Sequence, residues 1–414
     1  MKIATLQFAP KLGDVEGNIR RADELLKRGK KEGGNGGGIE ELGPEILVLP
    51  ELAFTGYNFP SLEAITPYLE PLGEGPTAKW ARETAKRLKC KVCVGYPEIQ
   101  RASSSSDKEA GAEDKCFNSL LVVDEEGQIL LNYRKRFLYY TDETWAAEGD
   151  VEGFHSFTFG RDKSLPEPSS SSSSSQLPSD SNRAVQKHVP ATFGICMDIN
   201  PYRFEAPFTA WEFANRVIDS QSQLVILSMA WLTFLGPEEL ASLEARGRPD
   251  MDTFNYWIQR FWPLIEKRMG HEGDIDDECY HLGECGHDGK DDGATVGGKP
   301  MHKKKVVIVF ANRAGEEEPV AEDKPPARYA GTSAVIAVTQ QQPCRIGGGG
   351  TRGGGSEDVG GGDGGEEKKG FDVKILCWDM MGAREEGVCF ADTRADPKMV
   401  FGLVRRSSKS SESG

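Results

Sequence analysis

Three observations predict an α/β fold. Short apolar runs of strand length recur along the chain, amphipathic stretches of helical spacing separate them, and candidate reactive residues stand where the runs stop. Met1 to Phe8 alternates like a first strand. Asp14 is an acceptable helix cap, and Val15, Ile19, Ala22, Leu25 and Leu26 follow it at helical spacing. Pro44 to Pro50 supplies the next strand, whose four consecutive apolar residues, Ile46-Leu47-Val48-Leu49, suit burial on both faces. Lys79 to Leu88 reads as a helix and Val92 to Tyr96 as a strand. Leu120 to Val123, then Glu126-Gly127, then Ile129 to Leu131 read as a hairpin. Ala191 to Ile195 reads as a buried strand, Phe208 to Val217 as a helix, and Leu224 to Ser228, Val306 to Phe310 and Thr332 to Val338 as further strands. Alternation alone also permits a doubly wound sheet.

The chain has 414 residues, and its 38% apolar content is low for a globular protein. The deficit is concentrated in Ser-, Gly- and acid-rich stretches near 101–115, 163–189, 270–300, 316–328 and 345–370. These cannot bury enough apolar surface to offset ordering entropy, so they are expected as flexible insertions in one catalytic domain over 1–405, with 406–414 a disordered tail. A net charge of −15 argues against nucleic-acid and anionic-membrane partners and suits a substrate that carries an ammonium. No apolar run reaches transmembrane length, and the first residues lack a signal-peptide core, so a cytoplasmic protein with reduced thiols is expected. Cys90 and Cys93 are expected as reduced core or edge thiols, because the helix-forming turn of a redox pair is missing. Cys279, His281, Cys285 and His287 could chelate zinc, yet their spacing fits no common zinc module and their surroundings are Gly- and Asp-rich. No metal and no cofactor is expected.

Three segments carry chemistry. Cys196 follows the apolar strand ending at Ile195, where a rigid sheet presents a thiol at an open strand end. Glu51 follows Pro50, which ends another strand. Lys135 lies in Tyr133-Arg134-Lys135-Arg136, just after the hairpin. Each has an ordinary alternative: a buried hydrophobe for the cysteine and a solvated basic edge for the lysine.

Leu-Pro-Glu-Leu with Gly-Tyr, then Tyr-Arg-Lys, then Gly-Ile-Cys-x-Asp, in this order, resemble the carbon-nitrogen hydrolase (nitrilase) superfamily. Asn312-Arg313-Ala314-Gly315-Glu316 and Gly331-Thr332-Ser333 are similar to its later segments. The resemblance implies an αββα sandwich of two mixed sheets and a Glu51, Lys135, Cys196 triad. Within the superfamily, Cys-Met-Asp-x-Asn-Pro-Tyr-x-Phe-Glu-Ala-Pro-Phe and Tyr139-Tyr140-Thr141-Asp142-Glu143-Thr144-Trp145 resemble the fungal-type protein N-terminal amidases, which deamidate N-terminal Asn and Gln. The partners implied are proteins or peptides with a free N-terminal Asn or Gln, and the oligomeric state stays open between monomer and homodimer. A small-molecule amidase or nitrilase of the same superfamily is the alternative, and a non-catalytic scaffold built on the insertions is the alternative of another class.

The implied chemistry is amide hydrolysis through a cysteine thioester. A free thiol is only a few per cent ionised at neutral pH, so Cys196 needs a base. No histidine lies in the three motifs, which favours Glu51. Lys135 and the backbone N–H of Met197 would hold the oxyanion. Members of the superfamily often carry a second glutamate after the lysine, and Glu143 is assigned to it with Glu148 as rival. Asp142 is the leading carboxylate for the substrate ammonium, with Trp145 and Trp231 as pocket walls.

Overall fold

The computed structural model describes residues 1–29, 37–102, 113–160, 187–271, 275–276, 303–319, 321, 323–341 and 372–402. In chain order its strands are β1 (Lys2–Gln7), β2 (Ile46–Val48), β3 (Lys91–Gln100), β4 (Lys115–Val123), β5 (Ile129–Arg134), β6 (Phe154–Phe159), β7 (Lys187–Ile195), β8 (Leu224–Met229), β9 (Lys304–Asn312), β10 (Glu316–Glu317), β11 (Ala327–Arg328), β12 (Ala334–Gln341), β13 (Asp372–Met380), β14 (Gly387–Asp392) and β15 (Met399–Gly402). The helices are α1 (Val15–Arg28), α2 (Ile39–Leu42), α3 (Leu62–Ile65), α4 (Gly75–Leu88), α5 (Glu212–Asp219), α6 (Pro237–Ala245), α7 (Met251–Arg260) and α8 (Trp262–Glu266).

The strands form a six-stranded sheet, β14-β1-β2-β3-β4-β5, and a seven-stranded one, β15-β13-β12-β9-β8-β7-β6. Each has three parallel strands flanked by antiparallel ones: β1, β2 and β3 in the first, β7, β8 and β9 in the second. Period-two alternation decides the layers. Ile3, Ile46, Val48, Cys93, Leu120 and Val122 join one core with the second sheet. Their neighbours Ala4, Leu47, Val92, Val94, Leu121 and Val123 pack instead on Ala22, Leu25 and Leu26 of α1 and on Ala78, Ala81 and Ala85 of α4. On the far side, Phe213 of α5, Trp257 of α7 and Leu264 of α8 cover the second sheet, and the Trp257 ring stacks on Phe310 of β9 at 4.9 Å. The result is the expected αββα sandwich. The Ser228 hydroxyl of β8 donates to the Leu49 carbonyl at 2.9 Å, tying the sheets together beside the strand ends.

Most predicted elements are present, with shifted ends. Asp14 caps α1 by accepting from the Gly17 N–H at 3.0 Å. The helix expected over 208–217 is two pieces, a 3-10 turn at Phe208–Ala210 and then α5, because Trp211 adopts a left-handed backbone with φ of 43°. Strand β7 starts at Lys187, so the insertion near 163–189 ends earlier than expected and His188 is on a strand. Of the insertion expected near 270–300, the described residues at its start are docked: His271 and Ile275 are buried, and Asp276 accepts from Lys305 Nζ at 2.5 Å. The stretch near 316–328 includes the paired strands β10 and β11, and Glu317 within it is buried. Cys90 and Cys93 are free thiols in the two different core layers. The Cys279, His281, Cys285 and His287 cluster, all of 345–370 and the 406–414 tail lie outside the described residues. No helix among the described residues is long and apolar enough to cross a membrane.

Glu70 precedes α4 and accepts from the Thr77 N–H at 3.0 Å and the Thr77 hydroxyl at 2.7 Å. Burial pushes its carboxyl up to about 7. The folded chain therefore keeps a proton that the unfolded chain loses above its ordinary value of 4.5. Stability is expected to fall, by on the order of 3 kcal/mol, as pH rises from about 4.5 to about 7, and to be unaffected by this group above that. Urea midpoints across this window check it, and Glu70→Gln should flatten the slope.

Candidate active site

The parallel strands end on one side, and their carboxyl ends supply the site. Beyond β2, the Leu49 N–H donates to the Cys93 carbonyl at 2.8 Å and the Ala53 N–H to the Gly95 carbonyl at 3.0 Å, so Glu51 lies against β3. A Cβ on Gly95 would sit 2.7 Å from both Glu51 Cα and Leu52 N, and only glycine permits this approach. Glu51 is fully buried. Its Oε1 accepts from Lys135 Nζ at 2.6 Å and Asn118 Nδ2 at 2.7 Å, and its Oε2 from the Ala230 N–H at 2.8 Å, just beyond β8.

Lys135 follows β5 and has no solvent exposure, so it is not a solvated edge lysine. Its Nζ donates to Glu51 and, at 2.5 Å, to Asp142 Oδ2. One of its three donors stays uncommitted among the described residues. Asp142 opens a 3-10 turn and is also fully buried, accepting from Asn118 Nδ2 at 2.9 Å and the Tyr139 N–H at 2.9 Å. Asn118, in the middle of β4, thus bridges both carboxylates with one amide nitrogen. Burial alone would discharge the lysine, yet Asp142 and Glu51 outweigh it and hold Lys135 above its ordinary value. Burial pushes the Glu51 carboxyl up; Lys135 opposes this and the Asp142 charge adds to it.

Cys196 follows β7 in a left-handed backbone with φ of 42°, a strained conformation for a residue with a side chain. Burial pushes its thiol well up, the Glu51 charge adds, and Lys135 pulls the other way, so the thiol feels both partners. Asp198 anchors the turn. Its Oδ2 accepts from the Ile195 N–H at 2.7 Å and the Tyr133 hydroxyl at 2.8 Å, and its Oδ1 from the N–H groups of Phe137 at 2.9 Å and Arg136 at 3.1 Å. This explains the Cys-x-Asp spacing: the aspartate fixes the cysteine turn to the segment that bears Lys135. His188 stands eight residues before Cys196 on the same strand, roughly 26 Å away, so it is no partner for the thiol.

Two expected assignments are corrected. Asp142, expected to meet a substrate ammonium, is instead paired with Lys135 and accepts also from Asn118 and the Tyr139 N–H. Glu143 is exposed and takes no part in the cluster; the place expected for a second glutamate beside the lysine is filled by Asp142. The rival Glu148 is exposed too, accepting from the Tyr202 hydroxyl at 2.8 Å. The remaining candidates are all buried. Met197 is buried next to Cys196. Trp145 is buried among Leu52, Tyr57, Phe59, Ala230 and Tyr329, and its indole N–H has no acceptor among the described residues. Trp231 packs on Tyr256 at 5.6 Å and Trp257 at 6.0 Å, and its N–H donates to Asn312 Oδ1 at 2.7 Å.

Sequence reasoning missed Asn118 and Glu317. Asn118 had one signal, a polar pair with Ser119 inside an apolar strand. Glu317 accepts from the N–H groups of Tyr57 at 3.1 Å and Asn58 at 2.9 Å, from the Tyr329 hydroxyl, and pairs with Arg313 at 2.7 Å. It holds the Gly-Tyr loop, whose Tyr57 ring lies 5.6 Å from Lys135 Nζ. The later sequence motifs therefore brace the loops around the cluster.

The chain matches the carbon-nitrogen hydrolase family over residues 2–186. It is 31% identical to the protein N-terminal amidase of Schizosaccharomyces pombe over 298 residues, covering 66% of this chain and 87% of that protein. Identity to the protein N-terminal amidase of Saccharomyces cerevisiae is 33% over 232 residues, 56% of this chain but only 45% of that protein's length. A crystal structure of an N-terminal amidase with an Asn-Glu peptide shares the fold at a TM-score of 0.58 and 22% identity, covering 94% of this chain and 96% of its own. The chain belongs to the carbon-nitrogen hydrolase family. Within it, the chain is similar to the protein N-terminal amidases.

Asp198→Ala would leave four donors without their acceptor, at a cost of about 1–3 kcal/mol for each one kept from water. The expected outcome is a loss of at least about 3 kcal/mol in denaturant unfolding, with Asp198→Asn intermediate. Unchanged stability in the alanine variant would remove Asp198 as the anchor of the turn.

Proposed function

We propose that this protein is an amidohydrolase that converts N-terminal Asn and Gln of polypeptides to Asp and Glu, releasing ammonia through a thioester on Cys196. The observation that carries the chemistry is the buried set of Glu51, Lys135 and Asp142 beside a strained cysteine at a strand end. Similarity to two curated protein N-terminal amidases supports the choice of substrate.

Glu51, its carboxyl raised by burial, is the base that takes the thiol proton as sulfur attacks the side-chain amide carbon. The oxyanion that forms would meet the uncommitted N–H of Lys135 and the backbone N–H of Met197, and each such donor is worth about 3–4 kcal/mol of barrier lowering. The tetrahedral adduct collapses, its carbon–nitrogen bond breaks, and Glu51 returns the proton to the departing ammonia. Water then attacks the thioester carbonyl with Glu51 again as base, freeing the acid product and the thiol. Asp142 positions Lys135 and keeps it charged throughout. Two buried carboxylates face one ammonium here, and this excess negative charge favours a substrate that brings its own ammonium. Trp145 and Trp231 line the pocket in this reading, and the indole N–H of Trp145, without an acceptor among the described residues, is a donor for a substrate carbonyl.

The test is an ammonia-release assay on an Asn peptide with a free terminus and the same peptide acetylated. The expected result is turnover of the free peptide, a rate lower by orders of magnitude on the acetylated one, and no turnover by Cys196→Ala. Equal rates on the two peptides would sink terminal recognition, and activity in the cysteine variant would sink the thioester.

A further inference from the structure

Helix α7 holds the cysteine turn by a second set of contacts, separate from those of Asp198. The start of the helix is fixed first: Asp250 accepts from the Thr253 N–H at 3.0 Å, the Thr253 hydroxyl at 2.8 Å and the Thr233 hydroxyl at 2.7 Å. The stack of Trp257 on Phe310 then seats α7 on the second sheet. Tyr256 and Arg260 share another face of the helix by their i, i+4 spacing, and both reach the 3-10 turn at Cys196–Ile199 and its last cap, Asn200. Arg260 Nε donates to the Ile199 carbonyl at 2.7 Å, and the Tyr256 hydroxyl donates to Asn200 Oδ1 at 2.7 Å. Asn200 passes the second contact on to Met197. Its backbone N–H donates to the Met197 carbonyl at 2.8 Å and its Nδ2 to Met197 Sδ at 3.2 Å.

Met197 is the residue whose direction matters. A hydrogen-bond donor for an oxyanion lowers the barrier only if it is aimed before the charge develops. Cys196 is strained, so any relaxation there turns the next peptide plane and with it the Met197 N–H. Asp198 does not prevent this by itself, because none of its four donors belongs to Met197: it places the turn, not this residue. Asn200 grips Met197 by carbonyl and side chain together, and both residues are buried, which leaves little room for water to take over either contact. We propose that Tyr256, acting through Asn200, is a positioning residue that aims the Met197 N–H at the oxyanion. This rests on the amidase reading and adds a residue far along the chain to its machinery.

The test uses Tyr256→Phe, which removes one oxygen and keeps the ring that packs on Trp231 at 5.6 Å and Phe208 at 5.9 Å. Two reactions of the same thiol are compared: deamidation of an Asn peptide with a free terminus, and alkylation of Cys196 by iodoacetamide, followed by peptide mapping. In alkylation the sulfur displaces iodide at a methylene carbon, so no oxyanion forms and only the reactivity of the thiol is read. Losing an oxyanion donor outright costs about 100- to 1,000-fold in kcat, so a donor that is merely misaimed should cost about tenfold. The expected result is that fall in kcat with KM within about twofold and an unchanged alkylation rate. Asn200→Ala should lose at least as much, and adding Tyr256→Phe to it should cost nothing further, because both act along one path. An unchanged kcat in Tyr256→Phe would overturn the proposal, and so would a rise in KM alone. An equal fall in turnover and alkylation would overturn it by showing a general loosening of the turn, and multiplying losses in the double variant would show that the two residues act apart. Failure of the native protein on every free Asn peptide would instead refute the amidase reading beneath it.

Discussion

Everything in this site hangs on one buried cation. Lys135 leaves water completely, and the cost of burying an ammonium and two carboxylates is several kcal/mol for each ion before pairing. Glu51 and Asp142 offset it by direct contact, while Asn118, the Ala230 N–H and the Tyr139 N–H fill the remaining acceptor positions. Those partners come from β4 and from the segments after β2, β5 and β8, so the charge cluster assembles only when both sheets are in register. The same contacts that make the burial tolerable set the chemistry, because they hold the lysine charged and the glutamate more basic than an exposed one.

Backbone strain falls at two residues of this site: Leu52, next to Glu51, and Cys196 are among the eight non-glycine residues with positive φ in the described residues. Each conformation of this kind costs roughly 1–3 kcal/mol and persists only where the surroundings over-determine it. At Cys196 that restraint is Asp198, which stitches the cysteine turn to the Lys135 segment through four donors. At Leu52 it is the hydrogen bonding to β3 and the missing side chain of Gly95. Burial energy from two ordinary sheets is converted into the awkward backbone that presents a thiol.

The alternation of strands and helices, and the place of Glu51 and Cys196 at strand ends, were legible as apolar runs with a reactive residue where each stops, whereas the two-sheet sandwich and the grouping of Lys135 with them followed only from the resemblance of the motifs. What failed was finer than a strand. Asp142 and Glu143 are adjacent carboxylates, and only the 3-10 turn from Asp142 decides that the first points at Lys135 and the second at solvent. Glu316 and Glu317 repeat the lesson on β10, where alternation exposes the first and buries the second against the Tyr57 loop. In both cases composition and spacing are nearly blind to a one-residue shift. The insertions expected near 270–300 and 316–328 were read too broadly for another reason: their glycines and charges look soluble, yet single residues such as Ile275 and Glu317 dock into the body of the protein. The split of α5 at Trp211 had no sequence signal beyond Pro207, since a left-handed tryptophan is set by tertiary packing.

The central claim is that Cys196 becomes acylated by the side-chain carbonyl of the substrate's first residue. Mixing the protein with an N-terminal Asn or Gln peptide, quenching in acid within one turnover and mapping the digested protein by mass spectrometry tests this directly. The account requires a single adduct on Cys196, equal in mass to the peptide less one ammonia and released by hydroxylamine. Turnover with no covalent adduct, or an adduct on any other residue, would contradict it.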